Sequence, residues 1–233
     1  MLKTETLEGK TFQLLKKLSA EQGLSDFFLV DGTAVALYLG HRKSIDLYFF
    51  TRYDFSVDEM RAILENYDFV ETYTSKNTIK GFIYGVNVYF ITYKYPFAKS
   101  LTQVDGIRLA SLHDIAAMKL SAIIQDGCRL KDFVDIAYMS TKLSFNEMLD
   151  AYSKKFKMRS TMIAVKALTY YDDIDSDEPI ILLNGTYSWE KIQERLELII
   201  EQPDFVFKQA PWASVILLRL LVVSLKPQVP VTK

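Results

Sequence analysis

"LVDGTAVALYLGHRKSIDLYFF", residues 29–50, decides the fold. It begins at the end of a short apolar strand ("FFLV", 27–30) and turns through Asp31 and Gly32. A helical segment from Thr33 to Leu39 follows, closed by Gly40, where a left-handed residue ends a helix at little cost. Residues 45–50 then read as a strand in which one carboxylate, Asp46, stands among apolar and aromatic side chains. His41 and Arg42 come directly after Gly40, where a cation either meets the negative end of the helix or contacts a phosphate, Arg42 being the stronger phosphate candidate.

Outward from this stretch the first hundred residues mix helical and strand periods. Leu7, Leu14, Leu15 and Leu18 share a helix face, and "SVDE" (56–59) is a capping box that starts a helix reaching about Tyr67. "DFVETYT", "TIKGFIY" and "VNVYFITY" are strands, the last two joined in a tight hairpin at Tyr84-Gly85, and Pro96 is expected to end the sheet. From Ser111 the period is helical, with serine caps at Ser111, Ser144 and Ser188 and acidic partners at Asp114 and Glu147. The expected class is α+β: a mixed sheet with helices over residues 1–105, then a helical bundle over 106–233.

Composition excludes several function classes. A chain of 233 residues that is 49% apolar buries a real core, and a net charge of −1 provides no global basic field for polyanions. The single cysteine, Cys128, forms no internal disulfide, and "MLKTETLEGK" lacks the apolar segment of a secretory signal, so the cytoplasm is expected. The apolar run "WASVILLRLLVVSLK" (212–226) is shorter than a span of ~20 residues and carries Arg219, so a docked helix is expected and no membrane anchor. The acidic run "YYDDIDSDEP" (170–179) reads as a solvated connection; its spacing is not that of a calcium loop and the central glycine is missing. Two histidines, His41 and His113, far from Cys128 give little support for zinc or a Cys-His nucleophile. "KKFKMR" (154–159) is a solvated helix end or a grip on nucleic-acid phosphates.

The opening stretch resembles the entry motif of the polymerase-β-type nucleotidyltransferases: an apolar strand, a glycine turn, a helix, and a strand with Asp-x-Asp. "GHRKSID" (40–46), "DIAAMKLSAI" (114–123) and "RLKDFVDI" (129–136) narrow the resemblance to the AbiEii/AbiGii abortive-infection toxins, over roughly residues 27–140. The resemblance implies a polymerase-β-like core, Mg²⁺ and an NTP, an RNA (tRNA ends) or protein acceptor, and a cognate antitoxin. It assigns Asp46 to metal and catalysis, and Lys131, Asp132 and Asp135 to catalysis. Gly32, Thr33, Arg42, Ser44 and Lys119 are assigned to the nucleotide. Such chemistry needs clustered carboxylates, because two Mg²⁺ ions stabilise attacking and leaving oxygens and take hard oxygen ligands.

Here this chain departs from the family pattern. The second Asp-x-Asp position is Tyr48, the third carboxylate position, in "GVNVYFI" (85–91), is Tyr89, and the first turn glycine is Asp31. A phenol is neutral at pH 7, so two negative charges are missing from a site built for two divalent cations. Two functions therefore stay open: a transferase with a degenerate metal site, or a catalytically silent protein that keeps nucleotide or antitoxin binding and uses no cofactor. Plainer structural roles compete throughout. Lys119 could be a solvated helix lysine, Lys131, Asp132 and Asp135 an exposed ion-pair face, and Tyr48 and Tyr89 a stack filling the former cavity.

Overall fold

The computed structural model describes residues 1–175 and 177–212, so the apolar stretch expected as a docked helix lies, apart from Trp212, outside the described residues. Seven strands form one mixed sheet: β1 Phe28–Val30, β2 Leu47–Thr51, β3 Val70–Ser75, β4 Thr78–Ile83, β5 Val86–Thr92, β6 Thr102–Val104 and β7 Ile107–Leu109. Their spatial order is β3-β4-β5-β2-β1-β7-β6. Among the described residues, eight α-helices accompany it: α1 Gly9–Ala20, α2 Asp31–Leu39, α3 Val57–Leu64, α4 Leu112–Gln125, α5 Leu130–Met139, α6 Phe145–Lys155, α7 Thr161–Leu168 and α8 Trp189–Glu201. The expected α+β class, with a mixed sheet followed by a helical C-terminal region, is the one observed.

Strand β1 is wholly buried, antiparallel to β2 on one side and parallel to β7 on the other. The sheet therefore continues past Pro96, where sequence reading ended it. The reason is the Asp105-Gly106 turn, whose two residues both have positive φ (51° and 80°) as a type I′ hairpin requires, and which folds β7 back against β6. The expected hairpin at Tyr84-Gly85 has the same signature, with φ of 51° and 77°. In β2 the alternation is strict. Leu47 and Phe49 point into the core, and Tyr48 and Phe50 face the other way, half buried.

Helices start where the serines predict. Ser56 accepts from the Glu59 N–H, Ser111 from Asp114, Ser188 from Lys191, and Ser144 with Glu147 closes a reciprocal capping box. Asp114 does more than cap. Its buried carboxylate also accepts the backbone N–H groups of Ala98 and Lys99 (2.9 and 3.1 Å) and pairs with buried Lys155 at 2.8 Å. Lys155 in turn donates to the Pro96 carbonyl, fastening the loop after β5 to the helices. Helix α4 packs on α2, α5, α6 and α7, and α5 also packs on α2, which brings residues from both halves of the chain to the C-terminal end of β1.

Candidate active site

At that end lies a cavity of about 190 Å³. Asp31, Gly32, Thr33, Arg42, Lys43, Ser44, Asp46, Tyr48, Lys119, Arg129, Lys131 and Glu178 all border it, so most residues singled out from the sequence converge. Asp132 and Asp135 lie beneath its floor, each 0% exposed. They sit three apart on the inner face of α5, while Lys131 projects from the other side and pairs with Glu178 at 2.8 Å. The exposed ion-pair face considered for Lys131, Asp132 and Asp135 is thus split in two, because α5 is buried along the stripe that carries its aspartates.

Asp135 is the hub of the floor. Its Oδ1 accepts from His41 Nε2 (2.8 Å) and Arg42 Nε (2.7 Å), its Oδ2 accepts from Arg42 NH2 (2.9 Å), and Lys119 Nζ lies 3.0 Å from Oδ2 as an ion pair. Three hydrogen bonds and that ion pair already engage both oxygens, so the carboxylate is committed to the protein's own cations rather than to the proton of an incoming hydroxyl. Burial would raise Asp135, but Arg42 and Lys119 hold it well below the ordinary carboxylate range. Because His41 Nε2 must donate, its buried Nδ1 keeps a lone pair without a protein partner, and burial lowers its pKa, so the ring stays neutral. Gly32 is required by the same fork: a Cβ there would come within 2.4 Å of Arg42 NH2.

Lys119 is 2% exposed and touches three carboxylates, Asp31, Asp132 (2.6 Å) and Asp135. Burial alone would lower its pKa, but the three acids more than offset this and raise it. It is therefore no solvated helix lysine. Asp132 is pushed up by burial, and its Oδ2 makes no hydrogen bond, with only Arg129 Nε 3.5 Å away. Asp31 Oδ2 faces Arg129 NH2 at 3.4 Å, and Lys119 and Arg129 together draw its pKa down against the effect of burial.

Around Asp46 the chemistry differs. Asp46 immediately precedes β2, so the strand starts one residue after the carboxylate. The parallel register of β2 and β5 sets Tyr48 opposite Tyr89, and the rings stack with centroids 4.0 Å apart and planes 3° from parallel. Asn87, two residues before Tyr89 on the same face, donates to Asp46 Oδ1 at 3.0 Å. Thr33 donates to the Asp46 carbonyl, which leaves Ser44 to donate to Thr33 at 2.7 Å. Thr33 and Ser44 thus brace the turn before β2. Burial and the neighbouring Tyr89 raise the Tyr48 phenol well above its usual value.

That donor set does not fit a pair of Mg²⁺ ions. One carboxylate with an amide on one oxygen, beside two stacked phenols, offers neither the charge nor the oxygen ligands. Among the described residues no group of three or more His, Cys, Asp or Glu side chains is placed to hold a metal ion. The carboxylates that do converge, Asp31, Asp132 and Asp135, are spent on Lys119, Arg42 and Arg129.

Sequence reading missed Arg129, Asn87 and Glu178. Asn87 was within reach, since alternation along β5 puts residue 87 on the face of Tyr89 and hence beside Asp46. Glu178 comes from the acidic run read as solvated. The segment after it pairs with residues 41–43, Lys43 N–H donating to Ile181 O and Leu183 N–H to His41 O, so it walls the cavity.

The model of one family, described as nucleotidyl transferase AbiEii toxin of a type IV toxin–antitoxin system, matches residues 88–210. A relative in Aquifex aeolicus (strain VF5), the uncharacterised protein aq_aa25, is 31% identical over 197 residues, covering 81% of this chain and 93% of its own. Among solved structures, a candidate nucleotidyltransferase from H. pylori superposes with a TM-score of 0.54 at 15% identity, over 84% of this chain and 96% of that one. JHP933 from Helicobacter pylori gives 0.51 at 13%, over 95% and 100%. At such identities the two structures speak for the fold. No described helix is long and apolar enough to cross a membrane.

Proposed function

The chain belongs to the AbiEii nucleotidyl transferase toxin family, and on that premise we propose that it is a silent member, one that keeps the fold and the charged cavity without the two-metal transfer chemistry. The observation that carries the proposal is the Tyr48–Tyr89 stack, which stands beside Asp46 where the resemblance calls for two more carboxylates. Stacked aromatic rings are worth about 0.5–1.5 kcal/mol beyond their burial, so the exchange removed ligand charge while adding packing. Asp135 serves this site as an anchor for Arg42 and Lys119 rather than as a base, because its donors are already in place, and Asp132 anchors Lys119 through one oxygen. What remains for a partner is the cation-walled cavity and the family's antitoxin, met in the cytoplasm.

The competing role is a working transferase, in which Asp46 alone would recruit Mg²⁺ and an NTP for an RNA or protein acceptor. A transfer assay separates the two. Purified protein is incubated with each α-labelled NTP, Mg²⁺, and pooled tRNA or cell protein. No label is expected on any acceptor. The Tyr48→Asp/Tyr89→Asp double variant should gain Mg²⁺ binding in calorimetry, since Asp46 then has two carboxylate neighbours. Mg²⁺-dependent labelling by the unaltered chain that disappears in Asp46→Ala would overturn the silent role.

A further inference from the structure

The charge balance of the cavity floor leads to a property independent of nucleotide transfer. Three carboxylates, Asp31, Asp132 and Asp135, face three cations, Arg42, Lys119 and Arg129, and His41 adds no charge. The set is neutral as it stands. Of the three acids only Asp31 borders the cavity, with a side chain 20% exposed against 0% for the other two. It is also the only one of the three on left-handed backbone, with φ of 59°, a conformation that glycine adopts freely and a residue with a Cβ adopts at a steric cost.

Position sharpens the point. Asp31 is the first residue of α2, a nine-residue helix whose initial N–H groups carry partial positive charge. Its two oxygens lie between Lys119 and Arg129, and Arg42 and Lys43 line the wall beside it. An anion held by an ammonium and a guanidinium is the arrangement a phosphate group takes, here made by the chain itself at the expense of its own backbone, in a cavity whose other acids, Asp46 and Glu178, lie outside this pairing.

We infer that Asp31 is an intramolecular stand-in for a phosphate group: its carboxylate occupies the anion position of the cavity and shuts out free polyphosphates and the phosphate ends of nucleotides. Without that carboxylate the floor has one positive charge in excess, left chiefly on Arg129, which is the cation open to the cavity. Asp132 and Asp135 still compensate Lys119, so the fold does not depend on Asp31 alone.

The test is calorimetric titration of the full chain with inorganic triphosphate in EDTA at low salt, where no metal ion contributes and no transfer can occur. The unaltered protein should bind weakly. Asp31→Gly, which removes the charge and relaxes the backbone, and Asp31→Asn, which removes the charge and keeps the shape, should each bind at least tenfold more tightly. Adding Arg129→Ala to Asp31→Gly should abolish the gain. Folded variants, judged by circular dichroism and melting, that bind no more tightly than the parent would overturn the inference. So would a parent that already binds as tightly as they do. Failure of both variants to fold would count against it equally, since Asp31 would then be a structural counter-ion. None of these results touches the transfer assay, so the silent role stands or falls separately.

Discussion

Replacing Asp135 by asparagine tests the cavity floor where it is most committed. The side chain keeps its shape and loses its charge, so an amide NH₂ is turned toward at least one of the four donors that now converge there. Arg42 and Lys119, both almost fully buried, lose a shared counter-ion. Removing one partner of a buried ion pair costs about 3–5 kcal/mol, a large share of the roughly 5–15 kcal/mol that holds a domain folded. For a chain of this size each kcal/mol lowers the melting temperature by about 2–4 °C, so a fall of about 6–20 °C is expected in a thermal melt followed by circular dichroism.

Asp132→Asn is the internal comparison. Asp132 accepts one hydrogen bond, from Lys119, and burial already works against its charge, so its loss should cost about 1–2 kcal/mol. The pH dependence has a defined sign. Asp135 is held low in the folded state, so its contribution is complete above its unfolded pKa, near 3.8, and is lost as pH falls through its folded value. In the variant that part of the acid sensitivity should be gone. A loss below about 1 kcal/mol for Asp135→Asn, or a larger loss for Asp132→Asn, would refute the assignment of Asp135 as hub.

Two further outcomes follow from the same neighbourhood. Gly32→Ala should destabilise by about 1–3 kcal/mol, measured by urea titration, because its Cβ displaces Arg42 from the Asp135 fork. His41 has a lowered folded pKa, so the unfolded chain takes up its proton first and stability should decline as pH drops below about 6.5. His41→Gln keeps a donor for Asp135 and should flatten that decline in melts between pH 8 and 5. His113, which burial also lowers, contributes to the slope that remains.

The local grammar of the chain was legible. Serines 56, 111, 144 and 188 cap helices because hydroxyl and N–H are neighbours in sequence, and Tyr84-Gly85 turns because positive φ is a local demand. Asp105-Gly106 carries a stronger hairpin signal than Tyr84-Gly85, and the two short strands it joins lie beyond Pro96, where a proline ends a strand only locally. At the site, it was the resemblance that put Asp46, Tyr48 and Tyr89 together; the structure sets Tyr48 opposite Tyr89 on adjoining strands, with Asp46 one residue before β2. What alternation cannot supply is which charge meets which. Lys119 could be assigned to a triphosphate because nothing along the sequence says that Asp31, Asp132 and Asp135 all turn toward it. Those pairings depend on how α2, α4 and α5 pack, a tertiary matter.

The link between Arg42 and Asp135 spans 93 positions of sequence. In a chain made from its N-terminus at roughly 5–20 residues per second, the guanidinium waits about 5–20 s for its carboxylate. For the greater part of that interval the strand ending at Val30 also lacks its neighbour at Leu109. A ribosome stalled between these positions would hold Arg42 without the carboxylate that fixes its fork, beside Asp31 and without the Lys119 and Arg129 that later hold that acid.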